Sequence, residues 1–288
     1  MEDTAKILLT GLDNAGKTSI MVALSEQKGY IEKVMSLTPT TRVDHIDIPF
    51  LGKNVVFWDL GGQEKYRKIY DERKEQYFAD SSLLLYIIDI QDPSRFETSL
   101  QYLDTILEYF IQNYDLVPLV ISFHKTDPEI KDTSEVKKNV QVLSQKIINK
   151  YEDFELLFQQ TTIYDIVSII KMISYGLAVL NEDFFELYKL LEEYSMNLNS
   201  QGLFLLDRNG LIICKYFKDQ IEDQIETNLE LSVKEHIFEL KERKEKGELI
   251  ERKLFEINNQ IRSYLHPIKY RGDEYYISIL LNEDTEEN

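Results

Sequence analysis

Gly11-Leu12-Asp13-Asn14-Ala15-Gly16-Lys17-Thr18 is the stretch on which the fold turns. It has the spacing G-x-x-x-x-G-K-[ST]. In front of it, Ala5 to Thr10 reads as a short buried strand, and behind it Ser19 to Leu24 opens a helical run. A phosphate chain carries several negative charges, and only backbone N–H groups can pack closely around it. Glycines let a loop wrap that tightly, and the helix N-terminus adds partial positive charge. The N–H groups of Asp13, Asn14, Ala15, Gly16, Lys17, Thr18 and Ser19 would form the cradle. Lys17 would reach the β- and γ-phosphates, and the Thr18 hydroxyl would bind Mg²⁺.

Working outward, apolar strands are expected at Lys6–Thr10, Asn54–Trp58, Leu83–Asp89 and Val117–Phe123. Helices are expected at Thr18–Gln27, Phe96–Tyr114 and Ser134–Lys150. Strands alternating with amphipathic helices predict an α/β fold with a mainly parallel sheet covered on both faces. Such sheets bind ligands beyond the carboxyl ends of their strands, which is where the Gly11–Thr18 loop falls.

Ser36-Leu37-Thr38-Pro39-Thr40-Thr41-Arg42 is polar, β-branched and Pro-bearing, so an extended loop is expected. A threonine there could complete a Mg²⁺ shell while its N–H meets the γ-phosphate. Thr40 is the choice, with Thr41 as the alternative. In Trp58-Asp59-Leu60-Gly61-Gly62-Gln63-Glu64, Asp59 ends a strand and could hold Mg²⁺ through a water. Gly62 leaves the backbone free to approach a γ-phosphate, and the Gln63 amide could orient an attacking water.

Phe123-His124-Lys125-Thr126-Asp127 follows another apolar strand. The Asp127 carboxylate can accept from both N1–H and the exocyclic amine of guanine. Adenine offers no such donor pair, and binding it would leave a buried carboxylate unpaired, which makes discrimination large. The Lys125 stem could cover one face of the base. Thr162 and Ile163, at the end of a further apolar run, could offer N–H groups to the guanine O6. Together these motifs point to GTP or GDP held with Mg²⁺.

The phosphate loop and Trp58-Asp59-Leu60-Gly61-Gly62-Gln63 resemble the Arf-type branch of Ras-like small GTPases. Other segments resemble the Rag (Gtr) GTPases. These are His124-Lys125-Thr126-Asp127, with His where most relatives have Asn; Thr40 to His45 as a first switch segment; Phe50-Leu51-Gly52; the long Glu64–Ala79 segment; and Thr161 to Asp165. The resemblance implies a guanine-nucleotide switch that hydrolyses GTP slowly unless a partner supplies an arginine. Such a partner arginine is worth roughly 10³–10⁵ in rate. Arg42 and Arg67, near the switches, are expected to be solvated surface charges. His124 replaces an amide that in relatives bonds the base and braces the phosphate loop, and an imidazole can do part of this in one tautomer.

The 288 residues suit two domains, 1–180 and 181–288. Hydrophobic content of 43% and charged content of 29% are ordinary for a globular protein. A net charge of −18 argues against nucleic acid or anionic lipid as a general partner. The one cysteine, Cys214, excludes an internal disulfide and is expected to be a small core residue. No run is apolar enough to span a bilayer, and neither terminus matches a lipidation motif. A cytoplasmic protein with no direct membrane anchor is expected, recruited to membranes only through a partner.

In the second half, Ile169–Leu180 reads as an apolar helix and Asn181–Asp183 as a cap for the next. That next helix carries Phe184, Phe185, Leu187, Tyr188, Leu190, Leu191, Tyr194, Met196 and Leu198, so burial on more than one side is expected. Asn209-Gly210 between two β-rich runs predicts a hairpin. Ile221, Ile225, Leu229, Val233, Ile237 and Leu240 form one helical stripe. Strands are expected at Glu248–Ile257, Gln260–Tyr270 and Glu274–Leu281, with Arg271-Gly272-Asp273 as a turn. His236 and His266 are expected to be packing or surface residues. This order resembles the roadblock/longin fold that also ends Rag proteins. The resemblance implies a homo- or heterodimer paired through Glu248–Ile257, with activating and exchange proteins as further partners. Two other readings remain: a dimeric scaffold with a fixed nucleotide, and an Arf-like trafficking GTPase.

Overall fold

The structure is a computed structural model, and it describes residues 4–25, 29–51, 53–180, 184–198, 200, 202–217, 223–248, 250, 252–258, 261–270 and 272–280. The chain forms two compact units that divide after Met172.

The first unit opens with β1 (Thr4–Gly11), α1 (Lys17–Ser25), α2 (Tyr30–Met35), β2 (Val43–Phe50) and β3 (Lys53–Leu60). It continues through α3 (Glu64–Glu72), α4 (Lys74–Phe78), β4 (Ser81–Asp89), a short 3₁₀ turn at Pro93–Arg95 and α5 (Phe96–Gln112). β5 (Leu119–His124), α6 (Ser134–Lys150), β6 (Leu156–Thr161) and the start of α7 (Ile166–Ala178) complete it. The sheet order is β2-β3-β1-β4-β5-β6. β2 runs antiparallel to β3, and all other pairs are parallel.

The central strands are apolar on both faces because helices cover both. Ile7, Leu8 and Leu9 of β1 and Leu83 to Ile88 of β4 are all buried. α5 places Leu103, Ile106, Leu107 and Phe110 at helical spacing into this core. Parallel pairing also aligns the strand ends. Leu9 pairs with Asp59, Gly11 with Ile87, Asp89 with His124, and His124 with Thr161. The phosphate loop, Asp59, the loop after Asp89, His124 and Thr161 therefore share one rim.

The expected strands and helices of this unit are all present; Ser134–Lys150 is matched at both ends, and no other end is shifted by more than three residues. α1 ends at Ser25, and residues 26 and 27 lie outside the described ones. α2, β2, α3 and α4 were not among the expected elements. α2 is short, and β2 alternates exposed and buried positions with Pro49 near its end. β2 tolerates that proline because it is an edge strand. The Glu64–Ala79 segment folds as α3 and α4.

The second unit contains α8 (Phe184–Leu198), β7 (Gly202–Asp207), β8 (Ile212–Phe217) and α9 (Asp223–Lys246), followed by β9 (Lys253–Asn258), β10 (Ile261–Tyr270) and β11 (Asp273–Leu280). Its strands form one antiparallel sheet in the order β8-β7-β11-β10-β9. The Asn209-Gly210 hairpin forms, with Gly210 at φ 80°. Its turn closes on the buried Asp207, whose carboxylate accepts from the N–H groups of Asn209 and Leu211. Leu229, Val233, Ile237 and Leu240 of the α9 stripe are buried; Ile221 lies outside the described residues. Cys214 is buried, as expected of a core residue.

Two expectations for this unit are corrected. α8 buries Leu187, Leu191 and Ser195 on one face, but Leu190, Tyr194 and Met196 are 53%, 39% and 67% exposed. An i, i+4, i+8 face suffices to dock it on β7 and β8, so it is not buried on several sides. β9 begins only at Lys253, five residues later than read, and Leu254 on it is exposed. Asn181–Asp183, Arg271 and Leu281 lie outside the described residues.

Candidate functional site

The phosphate loop folds as a tight nest at the head of α1. Gly11, Asn14 and Gly16 have φ of 142°, 60° and 97°, which turns successive N–H groups toward one centre. The glycine at 16 is required twice over: its φ disfavours a side chain, and a Cβ there would lie 2.3 Å from Cδ2 of His124. Lys17 is buried, and its ammonium donates to the carbonyls of Gly11 (3.1 Å) and Leu12 (2.8 Å). Burial pushes its pKa down to about 8, against the pull of Asp59 and Asp13.

Three oxygens converge beside it. Thr18 Oγ1 donates to Asp59 Oδ2 at 2.7 Å, Thr40 Oγ1 donates to the same oxygen at 3.3 Å, and the two hydroxyls are 2.6 Å apart. Thr41 is exposed, so the structure brings Thr40 rather than Thr41 into this group. Asp59 is buried and its Oδ1 has no hydrogen-bond partner among the described residues. Burial raises its pKa, opposed by Lys17 and by the two threonine hydroxyls. A buried carboxylate with one unpartnered oxygen, its other oxygen met by two hydroxyls, suits a hard divalent cation such as Mg²⁺, which takes oxygen ligands and keeps several waters. Among the described residues no cluster of three or more His, Cys, Asp or Glu could hold a metal. The hydroxyl–carboxylate group is therefore the candidate.

A cavity of about 280 Å³ opens over this group, lined by Asp13, Asn14, Gly16 to Ser19, Val34, Leu37 to Thr40, Gly62 and Gln63. Gly62 packs directly on the phosphate loop, where a Cβ would meet the Asp13 nitrogen at 2.2 Å. Gly61 N–H donates to the Arg42 carbonyl at 2.6 Å, and the Tyr70 hydroxyl donates to the same carbonyl at 2.6 Å. The two switch-like segments are thus tied to each other. Gln63 sits at the N-terminus of α3 and faces the cavity. Arg67 is not a solvated surface charge: it is half-buried, its Nε donates to the Gly62 carbonyl at 3.0 Å, and its guanidinium lies 5.1 Å from the Tyr102 ring centre. Arg42 is exposed, as read.

Along the same rim lies the base-edge group. His124 is buried; its Nδ1 is 2.8 Å from Thr161 Oγ1, which is 2.6 Å from Ser122 Oγ. Desolvation, with help from the Lys125 charge, pulls its pKa down to about 3, so the ring is neutral. Lys125 adopts φ 62° and its ammonium pairs with Asp89 at 2.6 Å. Asp127 Oδ1 accepts from Thr162 Oγ1 at 2.5 Å, and its Oδ2 accepts from Gln91 Nε2 at 2.8 Å. The Thr162 N–H donates to Ser168 Oγ at 3.2 Å, so Thr162 meets Asp127 through its side chain. Ile163 is anchored through its carbonyl, which accepts from the Tyr30 hydroxyl at 2.6 Å.

Sequence reading missed three contributors, all from the Asp89–Arg95 loop. Asp89 holds Lys125, Gln91 holds Asp127, and Arg95 donates to both the carbonyl (2.9 Å) and the carboxylate of Asp13. The signal that could have found them is positional. This loop follows β4, next to β1, so it must emerge on the phosphate-loop rim.

A strand–nest–helix turn, a hydroxyl–carboxylate group beside a buried lysine and a further carboxylate on the same rim, on a mainly parallel sheet, are the arrangement of a small GTPase of the Ras superfamily. The conserved region of Gtr1/RagA G proteins matches residues 6–240, and the chain belongs to that family. Guanine-nucleotide binding and GTP hydrolysis are general properties of such GTPases. Among curated proteins it is 36% identical over 126 residues to ADP-ribosylation factor-like protein 3 of Chlamydomonas reinhardtii, covering 44% of this chain and 65% of that protein. It is 32% identical over 131 residues to ADP-ribosylation factor-related protein 1 of Rattus norvegicus, covering 44% and 62%. The matches thus span a little under two thirds of these relatives. Among solved structures, that of the Arl6 BBS3 small GTPase from Trypanosoma brucei with bound nucleotide analogue GppNp is similar over 61% of this chain and 96% of that one, at 16% identity and a TM-score of 0.48.

Proposed function

We propose that this protein is a Mg²⁺-dependent GTP/GDP switch that hydrolyses GTP slowly by itself. The observation that carries this reading is the convergence of Thr18, Thr40 and Asp59 beside Lys17, with Gln63 lining the same cavity. Lys17 and the loop N–H groups bind the β- and γ-phosphates of the substrate. Thr18, Thr40 and Asp59 would hold the cation. When bound, Mg²⁺ neutralises charge that develops on the phosphate oxygens. Gln63 orients the attacking water, and Gly62 brings its backbone against the terminal phosphate. Thr40 and Gly62 report the presence of that phosphate, so GTP orders both switch segments and GDP releases them. Asp127 selects guanine, with Lys125 over the base and Thr162 fixing the carboxylate.

Neither Arg67 nor Arg95 fills the transition-state role in this reading. Arg67 is committed to Gly62 and Arg95 to Asp13, so an activating partner supplies it, and an exchange protein resets the switch. The second unit, with its helices and five-stranded antiparallel sheet, resembles a roadblock/longin domain. β9 is an edge strand of that sheet with Leu254 exposed, which suits pairing with a second such domain, like or unlike. Among the described residues no helix is long and apolar enough to cross a membrane. We place the protein in the cytoplasm, brought to membranes by partners, and not on nucleic acid.

Single-turnover GTP hydrolysis tests the switch reading. Gln63→Leu should bind GTP as the wild type does and hydrolyse it at least tenfold more slowly. Equal rates would favour the scaffold reading, in which nucleotide is a fixed structural ligand.

A further inference from the structure

We infer that Gln91 is a positioning residue for base recognition, holding the Asp127 carboxylate in the orientation that reads guanine. The inference rests on the reading of Asp127 as the guanine contact.

The Gln91 side-chain amide has two N–H groups, and both are used. Nε2 donates to Asp127 Oδ2 at 2.8 Å and to the Lys125 carbonyl at 2.7 Å. Gln91 is exposed, so water competes for those donors, yet the amide is set between two acceptors of one loop. Its backbone is fixed for the purpose. Gln91 N–H donates to Asp89 Oδ1 at 3.0 Å, and the neighbouring Ile90 N–H donates to the His124 carbonyl at 3.1 Å. Asp89 also binds the Lys125 ammonium through its other oxygen. The loop after β4 is thereby stitched to the loop after β5 at four points, with the amide at the tip.

The chemistry of the donor matters. Each carboxylate oxygen has two lone pairs. Thr162 Oγ1 occupies one on Oδ1 and Gln91 Nε2 one on Oδ2, which fixes the carboxylate plane and leaves one acceptor site on each oxygen. Guanine brings two donors, N1–H and the exocyclic amine, and needs both sites at once. Both holders are neutral, so the carboxylate keeps its full charge for the base; a Lys or Arg at position 91 would neutralise it. The second amide bond supports the carbonyl of Lys125, a residue with φ 62°, in a backbone region costly for a side-chain-bearing residue. A two-point contact depends on carboxylate orientation more than a one-point contact does. Removing the amide should therefore weaken guanine more than hypoxanthine, which lacks the exocyclic amine.

The test is competitive displacement of a fluorescent GDP from the full chain with Mg²⁺, using GDP and IDP as competitors. Wild type, Gln91→Ala, Gln91→Glu and Asp127→Ala are compared, with thermal melts as a check on folding. Gln91→Ala should weaken GDP by about three- to tenfold, the scale of one hydrogen bond to a charged acceptor on a wet surface. It should weaken IDP by less, so the GDP-to-IDP preference shrinks. Gln91→Glu sets a second carboxylate against Asp127 and should weaken GDP further than Gln91→Ala does. A purely structural role would lower both nucleotides equally, and that result, or no change at all, overturns the inference. If Asp127→Ala collapses the preference while Gln91→Ala leaves it intact, the role of Gln91 alone is refuted. If Asp127→Ala also leaves the preference intact, the guanine reading of Asp127 fails with it.

Discussion

The His124 imidazole lies directly beneath Gly16, so close that a Cβ on the glycine would sit 2.3 Å from Cδ2 and 2.6 Å from Nε2. The end of β5 and the phosphate loop are in contact through a ring and a missing side chain. Gly16→Ala should therefore weaken nucleotide binding severely, through this clash and the strain at φ 97°. In the His124→Ala background the steric part disappears. The second loss from Gly16→Ala should then be smaller, leaving roughly the 1 kcal/mol expected of a left-handed alanine. A double-mutant cycle on GDP affinity measures the difference, and strictly additive losses would show that the ring does not support the loop.

Thr40 and Thr41 are adjacent in sequence, yet only Thr40 reaches the Thr18–Asp59 group. Thr40→Ala should weaken GTP in the presence of Mg²⁺ about tenfold or more and leave affinity in EDTA nearly unchanged, whereas Thr41→Ala should match wild type in both. Asp59→Ala should reduce the Mg²⁺ dependence of binding more strongly still, since it removes the buried oxygen that has no partner among the described residues. Nucleotide dissociation rates with and without the metal read this out. Equal effects of the two threonine variants would move the cation elsewhere.

The sheet, and the rim that gathers the candidate site residues, were legible in the sequence because each depends on short-range patterns. Buried parallel strands read as apolar runs, and the glycines of the phosphate loop mark positive φ and close approach. β2 escaped notice because it is an edge strand whose exposed polar positions and Pro49 hide the alternation. Leu190, Tyr194 and Met196 misled in the other direction: apolar composition suggested burial, but only the Leu187–Leu191–Ser195 face of α8 is buried. Gln91 and Arg95 carried no local motif at all. Their roles arise from β4 lying between β1 and β5, a relationship that exists only once the strand order is known.

Arg95 compensates an awkward carboxylate. Asp13 places a negative charge in a loop built to hold phosphate, and the Arg95 guanidinium bonds both its carbonyl and its carboxylate. Both side chains are partly exposed, at 33% and 45%, so screening keeps the energy modest. Arg95→Ala should weaken GDP about three- to tenfold through the uncompensated charge and the freed loop carbonyl. Asp13→Asn in that background should restore part of the loss, as the repulsion disappears. Failure of Asp13→Asn to restore anything would show that the guanidinium acts only by packing.

In the second unit, His236 is fully buried between two serines, with Nδ1 2.7 Å from Ser278 Oγ and Nε2 3.2 Å from Ser263 Oγ, and with the Phe255 ring 4.4 Å away. Burial pulls its pKa down to about 3. The unfolded chain therefore binds more protons between about pH 6.5 and 3, and stability falls as pH drops through that window by up to about 1.4 kcal/mol per unit. Asp207, raised to about 6 by burial, acts in the opposite sense between its unfolded value and pH 6 and partly offsets the loss. His236→Gln keeps a hydrogen-bonding group without a titration. It should flatten the acid limb of the melting-temperature profile even if it lowers stability at neutral pH. An unchanged acid slope would assign the loss to other groups.

Lys17 gives a pH dependence of opposite sign for stability and for binding. Without nucleotide its pKa is pushed down to about 8 by burial. The unfolded chain, with an ordinary lysine, binds more protons between about pH 8 and 10.5, so nucleotide-free stability should rise across that range. Binding goes the other way, because phosphate needs the ammonium form and must draw a proton onto Lys17 wherever the free chain has lost it. Between pH 7 and 9 the protonated fraction falls about tenfold, and GDP affinity should fall with it. Calorimetry at pH 8 in buffers of different ionisation enthalpy should show uptake of about half a proton per GDP bound. In Lys17→Arg the guanidinium stays charged, so whatever affinity that variant retains should show neither the uptake nor the decline that Lys17 causes. Proton-neutral binding by the wild type at pH 8 would mean that the Lys17 ammonium is not depressed in the empty loop.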